Sequence, residues 1–157
     1  IVANGQTVKN PAGDIVIYYT SSDTNGGLAF IRRKDGVNMA QNLANLAADY
    51  HAAGFGILYI TSAYRSLMKQ VNLYQTLAAG RAAVPGRSNH GWGLAFDWAF
   101  EGQVGDVQFT DAQYIWMDAN AYRYGFYNAG KYFNTKEPWH FEWLGSIRKQ
   151  TYGKIIK

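Results

Sequence analysis

Two short segments of the chain carry histidines beside carboxylates, at spacings that would allow metal binding. In the first, Asp97 lies between two alanines on one face of a predicted strand, and bulky apolar residues occupy the other face. His90 lies seven residues earlier, an odd separation that a continuous strand would send to the opposite face. Gly91 and Gly93 give the chain freedom to bend, so we expect the His90 imidazole to converge on Asp97. The alternative is a surface aspartate and a loop histidine that never meet.

The second segment lies near the end of the chain and combines a histidine with two glutamates. His140 and Glu142 share one face of a predicted strand, opposite three aromatic residues. Glu137 would point away from His140 within a strand, but a turn at Pro138 would bring its carboxylate over the imidazole. The alternative is an ordinary strand histidine paired with Glu142.

Together the two segments provide a ligand set for one Zn²⁺ per chain. His90, Asp97 and His140 supply three ligands of a tetrahedral ion and leave the fourth position for water, as in catalytic zinc sites. Zinc lowers the pKa of its water toward ~7. Glu137 would take the proton of this water and deliver it to the leaving amine. Glu142 is a candidate to orient one of the histidines.

The composition restricts metal binding to these residue types. The chain has no cysteine and three histidines, so a metal site must be built from His, Asp and Glu. The third histidine, His51, lies near the end of a predicted helix, where we interpret it as structural.

A third segment carries a cation at the junction of a predicted strand and helix. Arg65 lies close to a helix N-terminus, where a positive charge is slightly unfavourable, and Ser66 is the predicted N-cap. The guanidinium fork of Arg65 suits an anionic group such as a carboxylate. Gln70, about one turn further along, would point to the same cleft. The alternative for Arg65 is a structural salt bridge.

The elements that must position these residues predict an α+β fold, because strands and helices interleave irregularly. Hydrophobic periodicity and turn residues predict strands over 14–20, 57–61, 94–100 and 139–144. Helices are predicted from Asn38 to Gly54, over 66–79 with its apolar face at Leu67, Val71, Tyr74 and Ala78, and from a capping box at Thr110–Gln113 to Gly125. The strand over 57–61 is predicted to be buried.

Length and composition indicate one globular domain. The chain has 157 residues, of which 48% are hydrophobic and 17% charged, and no apolar run approaches the ~20 residues that span a bilayer. We predict a single domain over 1–157, with a core at about 38–147 and a solvated basic tail at 148–157. The formal charge is +4, but no nucleic-acid-binding signature is present. Because the sequence begins at Ile1, we expect it to have been cut or trimmed.

These segments resemble the VanY-type D-alanyl-D-alanine carboxypeptidases, in the wider group of zinc peptidases that includes lysostaphin-like enzymes and the hedgehog signalling domain. The family's S-x-H-x-x-G-x-A-x-D motif is matched at Ser88, His90, Gly93, Ala95 and Asp97, and its E-x-W-H motif at Glu137, Trp139 and His140. The stretch Tyr64-Arg65-Ser66 with Gln70 is similar to the family's Y-R-S-x-x-x-Q. The resemblance spans residues 60 to 143.

The resemblance implies a fold, an active site and a substrate. The fold would be a small antiparallel central sheet flanked by helices, with zinc on the His–Asp–His set and Glu137 as general base. Arg65, Gln70 and Ser88 would lie around the scissile bond or the substrate carboxylate. The substrate would be peptidoglycan stem peptides containing D-amino acids. The protein would act as a monomer outside the cell or in the cell wall, whether exported or delivered as a phage lysin.

Three functions remain open at this point. The first is hydrolysis at D-Ala, by a D,D-carboxypeptidase or an endopeptidase, with the loops at 21–27 and 101–109 deciding whether the cleft is closed. The second is an endolysin-type L-alanyl-D-glutamate endopeptidase. Related endolysins often carry Asp ahead of the second histidine, so Glu137 favours cleavage at D-Ala. The third is a non-catalytic zinc or cell-wall-binding domain, which the presence of Glu137 and Arg65 disfavours.

Overall fold

Eight strands and three helices occur in the part of the chain that the computed structural model describes. This part comprises residues 2–3, 6–7, 15–20 and 28–144, with side chains for residue 39 and residues 41–144. In chain order the elements are β1 Val2–Ala3, β2 Gln6–Thr7, β3 Ile15–Thr20, β4 Leu28–Arg32, α1 Arg33–Tyr50, β5 Leu58–Ser62, α2 Leu67–Thr76, β6 Ala95–Phe100, α3 Ala112–Asn120, β7 Phe126–Tyr127 and β8 His140–Trp143.

The central sheet is antiparallel throughout and has the strand order β5-β6-β8-β7. Strand β6 lies inside the sheet and places Asp97 opposite His140 on β8 and opposite Ser62 on β5. Separate antiparallel pairs join β1 to β2 and β3 to β4. The predicted α+β class with a small antiparallel sheet flanked by helices is confirmed.

The core lies on the aromatic face of β6, as the alternation of that strand predicts. Phe96, Trp98 and Phe100 are buried, and the Phe96 and Trp98 rings stack with centroids 5.7 Å apart. Full burial of one such side chain stabilises the fold by about 1.5–3 kcal/mol. The core also takes buried residues from the helices and the other strands, among them Met39, Leu46, Tyr50, Met117, Phe126 and Phe141. This packing holds β6 in place, with the Asp97 side chain directed away from the core.

The first helix begins earlier than the sequence predicts. Helix α1 starts at Arg33, directly after β4, rather than at Asn38, and strand β4 was not predicted. The helix runs through Gly36, whose cost of about 1 kcal/mol relative to alanine is small enough to be offset by neighbouring turns. At the other end, α1 stops at Tyr50, and Gly54 adopts the positive φ of 90° expected of a terminating glycine.

The second helix buries a different face from the one predicted. Ser66 is its N-cap, as predicted, and accepts a hydrogen bond from the Lys69 amide at 3.2 Å. However, Tyr74 is 50% exposed, and the buried side chain is that of Gln70. Of the predicted apolar face, Leu67 and Val71 are half-buried, whereas Tyr74 and Ala78 are exposed, because the helix ends at Thr76 and a hydrogen-bonded glutamine occupies the inward position.

Two further elements differ from their predictions. Strand β5 is an edge strand rather than a buried one, and Tyr59 on it is 46% exposed. The N-cap of α3 is Asp111, whose carboxylate accepts from the Gln108 amide at 2.8 Å instead of capping the helix. Helix α3 ends at Asn120, a 3-10 turn follows, and Gly125 ends that turn with φ 85°.

Two parts of the sequence prediction lie outside the described residues, namely the loop at 21–27 and the basic tail at 148–157. The single-domain boundaries stay a prediction. Among the residues that are described, no helix combines the length and the apolar character required to cross a membrane.

Candidate metal centre and active site

His90 is held in a 3-10 turn that its neighbours close at both ends. The hydroxyl of Ser88 caps the turn by accepting from the His90 amide at 3.2 Å, and Gly93 ends it with φ 69°. The His90 side chain is buried, and its Nδ1 lies 2.7 Å from the carbonyl oxygen of Ala63. A carbonyl only accepts, so Nδ1 carries the proton and donates it. The Nε2 lone pair is therefore free to bind a metal.

Asp97 lies between the two histidines. Its Oδ2 is 3.4 Å from His90 Nε2 and its Oδ1 is 3.1 Å from His140 Nδ1. The two imidazole rings cross at 74° with centroids 5.0 Å apart. One ligand atom from each of the three residues lies within 4.8 Å of the others. The glycine-containing bend predicted between His90 and Asp97 thus brings these side chains together.

His140 is oriented by the glutamate two residues further along the chain. Its Nε2 lies 3.1 Å from Glu142 Oε1, and the Asn89 side chain hydrogen-bonds the same carboxylate. Each ring nitrogen of His140 faces a carboxylate at 3.1 Å, and Nδ1 is the one on the side of Asp97, so Nδ1 could bind a metal while Nε2 keeps its proton on Glu142. Glu142 therefore orients a histidine, as the sequence suggested.

The electrostatics of this cluster favour a cation. Burial disfavours the charged form of His140, but hydrogen bonds to Asp97 and Glu142 outweigh this effect and raise the pKa of His140 to about 9. Burial would likewise raise the pKa of Asp97, yet the neighbouring imidazoles His90 and His140 hold that pKa well below its usual range. The site thus stabilises a positive charge. Two imidazole nitrogens and one carboxylate form a donor set that fits Zn²⁺.

Glu137 lies beside the cluster of His90, Asp97 and His140. The His140 amide donates to the Glu137 carbonyl at 3.0 Å, which closes the predicted turn at Pro138. The turn places Glu137 Oε2 3.8 Å from His140 Nδ1, with the side chain 23% exposed. Burial raises the pKa of Glu137 and the nearby Asp97 adds to this, while the charge of His140 opposes it. A carboxylate whose pKa is raised in this way holds a proton more readily than an ordinary glutamate, as a group that transfers protons must.

Arg65 contacts the cluster through Asp97. Its Nη2 lies 3.7 Å from Asp97 Oδ2 and donates to the Ser62 hydroxyl at 3.0 Å. Its Nη1 donates to Gln70 Oε1 at 3.0 Å, and Gln70 Nε2 in turn donates to the Ala83 carbonyl at 2.7 Å. Gln70 thus holds the guanidinium fork in place.

The other predicted residues have contacts within the protein. Gln70 and Ser88 are both buried, at 1% and 6% exposure, and bond to Arg65, Ala83 and His90 as described above. Their predicted contacts with substrate stay predictions. The exposed His51 is not part of the cluster, and its Nδ1 lies 3.3 Å from the Gly56 carbonyl oxygen.

Asn128 supports the site but was not predicted from the sequence. It follows β7 and is buried at 2% exposure, with its amide directed at the backbone of the Glu137–His140 turn. An isolated asparagine in an aromatic stretch carries no spacing signal. Its burial is evident only when the sheet is assembled.

Comparison with known proteins gives one family match. A family profile described as VanY: D-alanyl-D-alanine carboxypeptidase matches residues 34–146. A D-alanyl-D-alanine carboxypeptidase of Enterococcus faecium is 31% identical over 113 residues, which cover 68% of this chain and 36% of the relative. The chain therefore spans about a third of the length of that curated relative.

Solved structures share the fold. The LdcB LD-carboxypeptidase, whose structure addresses peptidoglycan recognition, is 26% identical, with a TM-score of 0.66 and coverage of 93% of this chain and 73% of that one. A mutant of the vancomycin resistance D,D-pentapeptidase VanY in complex with Zn(II) is 24% identical, with a TM-score of 0.64 and coverage of 99% and 92%.

Proposed function

The chain belongs to the VanY family of D-alanyl-D-alanine carboxypeptidases, and from this premise we propose that it is a zinc peptidase cleaving peptidoglycan stem peptides at D-Ala. The observation that carries the proposal is the convergence of His90, Asp97 and His140, with Glu137 beside them. The other two functions that the sequence left open gain no support from the relatives described above.

Zn²⁺ would be held by His90 Nε2, the Asp97 carboxylate and His140 Nδ1. When bound, it supplies Lewis acidity and lowers the pKa of a coordinated water toward ~7. Ala63 and Glu142 accept the remaining imidazole protons and so fix both rings in the tautomer that metal binding requires.

Glu137 is proposed as the general base and then the general acid. Its carboxylate is next to the ligands and partly exposed, so it can accept a proton from water and return it to the leaving amine. Burial raises the pKa of Glu137 above its ordinary value, which favours return of the proton to the leaving amine.

Arg65 is proposed to bind the anionic part of the substrate. Its side chain is 14% exposed beside Asp97, and the guanidinium fork matches a carboxylate in geometry and charge. Gln70 acts on the substrate through Arg65, whose fork it fixes, and Ser88 acts through the turn that carries His90.

The proposed site of action follows from the substrate. Stem peptides belong to the cell wall, so we infer that the protein works outside the cell or in the wall. We further propose that it works as a monomer, because all the residues assigned above come from one chain.

Product analysis tests this proposal. Zinc-loaded protein would be incubated with purified peptidoglycan and with defined stem pentapeptides and tetrapeptides, and the products identified by mass spectrometry. We expect free D-Ala from the pentapeptide. Products beginning with D-Glu would instead indicate an L-alanyl-D-glutamate endopeptidase, and D-Ala from the tetrapeptide alone would indicate L,D specificity. Tight wall binding without cleavage would indicate a binding domain.

A further inference from the structure

The Glu137–His140 turn rests on a short segment that follows β7, and the central contact is made by Asn128. Asn128 Nδ2 lies 2.8 Å from the carbonyl oxygen of His140, 3.1 Å from that of Pro138 and 3.4 Å from that of Glu137. One buried amide group thus contacts the backbone of the proposed general base and of a proposed metal ligand.

The orientation of this amide is fixed from its other end. Asn128 Oδ1 accepts a hydrogen bond from the hydroxyl of Tyr114 on α3 at 3.1 Å. A flipped amide would direct its oxygen at the turn's carbonyl oxygens, which only accept hydrogen bonds. Three acceptors on one side and a hydroxyl on the other therefore specify a single orientation.

Gly130 supports the same turn by a second contact. Its carbonyl oxygen accepts from the Glu137 amide at 3.1 Å. A Cβ atom at Gly130 would lie 2.0 Å from the Glu137 carbonyl oxygen and 2.9 Å from the Glu137 Cβ, closer than real contacts allow. Only glycine leaves room for Glu137 where it now lies.

We propose that Asn128 and Gly130 are positioning residues that set where the Glu137 carboxylate and the His140 imidazole lie relative to Asp97. This inference rests on the proposed function, since it concerns the same site. Its physical basis is that a displacement of about 1 Å in a catalytic group can cost roughly 100-fold in rate.

Two substitutions separate the two halves of the proposal. Gly130→Ala would displace the Glu137 backbone directly, and it would reach His140 only through the hydrogen bond from the His140 amide to the Glu137 carbonyl. Asn128→Asp keeps the side-chain shape but directs carboxylate oxygens at the carbonyls of both residues. Asn120→Asp is the matched control, because this asparagine contacts Trp116 and Arg123 instead of the turn.

The measurements are kcat and KM on the pentapeptide, zinc affinity, and the visible absorption spectrum of the Co²⁺-substituted protein. For Gly130→Ala we expect kcat to fall about 100-fold with KM changed less than about threefold, and a smaller shift of the Co²⁺ spectrum than in Asn128→Asp. For Asn128→Asp we expect a comparable loss of kcat together with a shifted Co²⁺ spectrum, because His140 also moves. Asn120→Asp should match the parent in all of these.

Thermal unfolding separates positioning from general destabilisation. If Asn128→Asp does not fold, Tyr114→Phe replaces it, with a smaller loss of kcat and a smaller spectral shift expected. Folded variants that keep kcat within about threefold and an unshifted spectrum would overturn the inference.

An inactive parent protein would be a failure of the proposed function and not of this inference. If the parent protein cleaves none of the peptidoglycan substrates, the Co²⁺ spectrum and zinc affinity of Asn128→Asp still decide whether Asn128 positions His140.

Discussion

At the scale of single residues, each proposed metal-binding histidine is fixed by an acceptor on its second ring nitrogen. For His90 this acceptor is the Ala63 carbonyl, and for His140 it is the Glu142 carboxylate. The sequence identified both histidines and even Glu142. It did not identify Ala63, because a backbone acceptor has no residue-type signature.

Removing the charge of Glu142 should weaken metal binding. In Glu142→Gln the side chain keeps its shape but holds the His140 proton less strongly. We expect zinc affinity to fall about 10-fold or more, as measured by competition with a chromophoric chelator. Asp106→Asn, at an exposed carboxylate outside the His90–Asp97–His140 cluster, is the control. Equal affinities for Glu142→Gln and the parent would argue against this role.

Zinc affinity should also depend on pH through His140. In the metal-free protein the pKa of His140 is raised to about 9 from an ordinary 6.5, so the proton is bound across most of this interval and zinc must displace it. We therefore expect apparent affinity to rise by roughly tenfold per pH unit between pH 6.5 and 9. The same shift predicts that the metal-free fold loses stability as pH rises through this window. A flat affinity profile would contradict the assignment.

The fork of Arg65 should matter beyond its charge. Arg65→Lys keeps the cation but loses bidentate geometry and the paired contacts to Ser62 and Gln70. We expect kcat/KM on the stem pentapeptide to fall about 10- to 100-fold with zinc content unchanged. Arg123→Lys, at an exposed site, is the matched control. Loss of zinc from Arg65→Lys would indicate a structural salt bridge instead.

At the scale of elements, the 3-10 turn that carries His90 is the most informative, because its cap can be compared with that of α2. Ser88 and Ser66 each accept one backbone hydrogen bond at 3.2 Å. Ser88→Ala and Ser66→Ala should each lower the free energy of unfolding by about 1 kcal/mol. Only Ser88→Ala should also weaken zinc binding. Equal zinc affinities in the two variants would show that the cap of this turn does not help His90 to bind the metal.

The elements also show how far the sequence could predict the fold. Strands β6 and β8 were found because alternation between a packed face and a polar face is a local pattern. The start of α1, the buried face of α2 and the role of Asn128 depend on partners distant in sequence. Helical spacing did place Gln70 beside Arg65, but its second hydrogen bond, to the Ala83 carbonyl outside the helix, has no local pattern.

At the scale of the whole molecule, metal binding should be coupled to folding. The cluster joins β6, β8 and the turn before β6, so that an ion on it would connect two strands of the sheet and this turn. With free zinc at 100 times its dissociation constant, we expect about 2.7 kcal/mol of added stability, or a rise in Tm of about 5–10 °C. Adding EDTA should reverse the rise, and an unchanged Tm would contradict the coupling.

In the proposed mechanism, Glu137 transfers protons beside a zinc ion held by His90, Asp97 and His140. The most direct test is the rate of D-Ala release from a stem pentapeptide by Glu137→Gln, with bound zinc quantified in the same sample. We predict one zinc per chain and a rate lowered by about 10²- to 10⁴-fold. A zinc-loaded Glu137→Gln protein that releases D-Ala at the parent rate would contradict the claim.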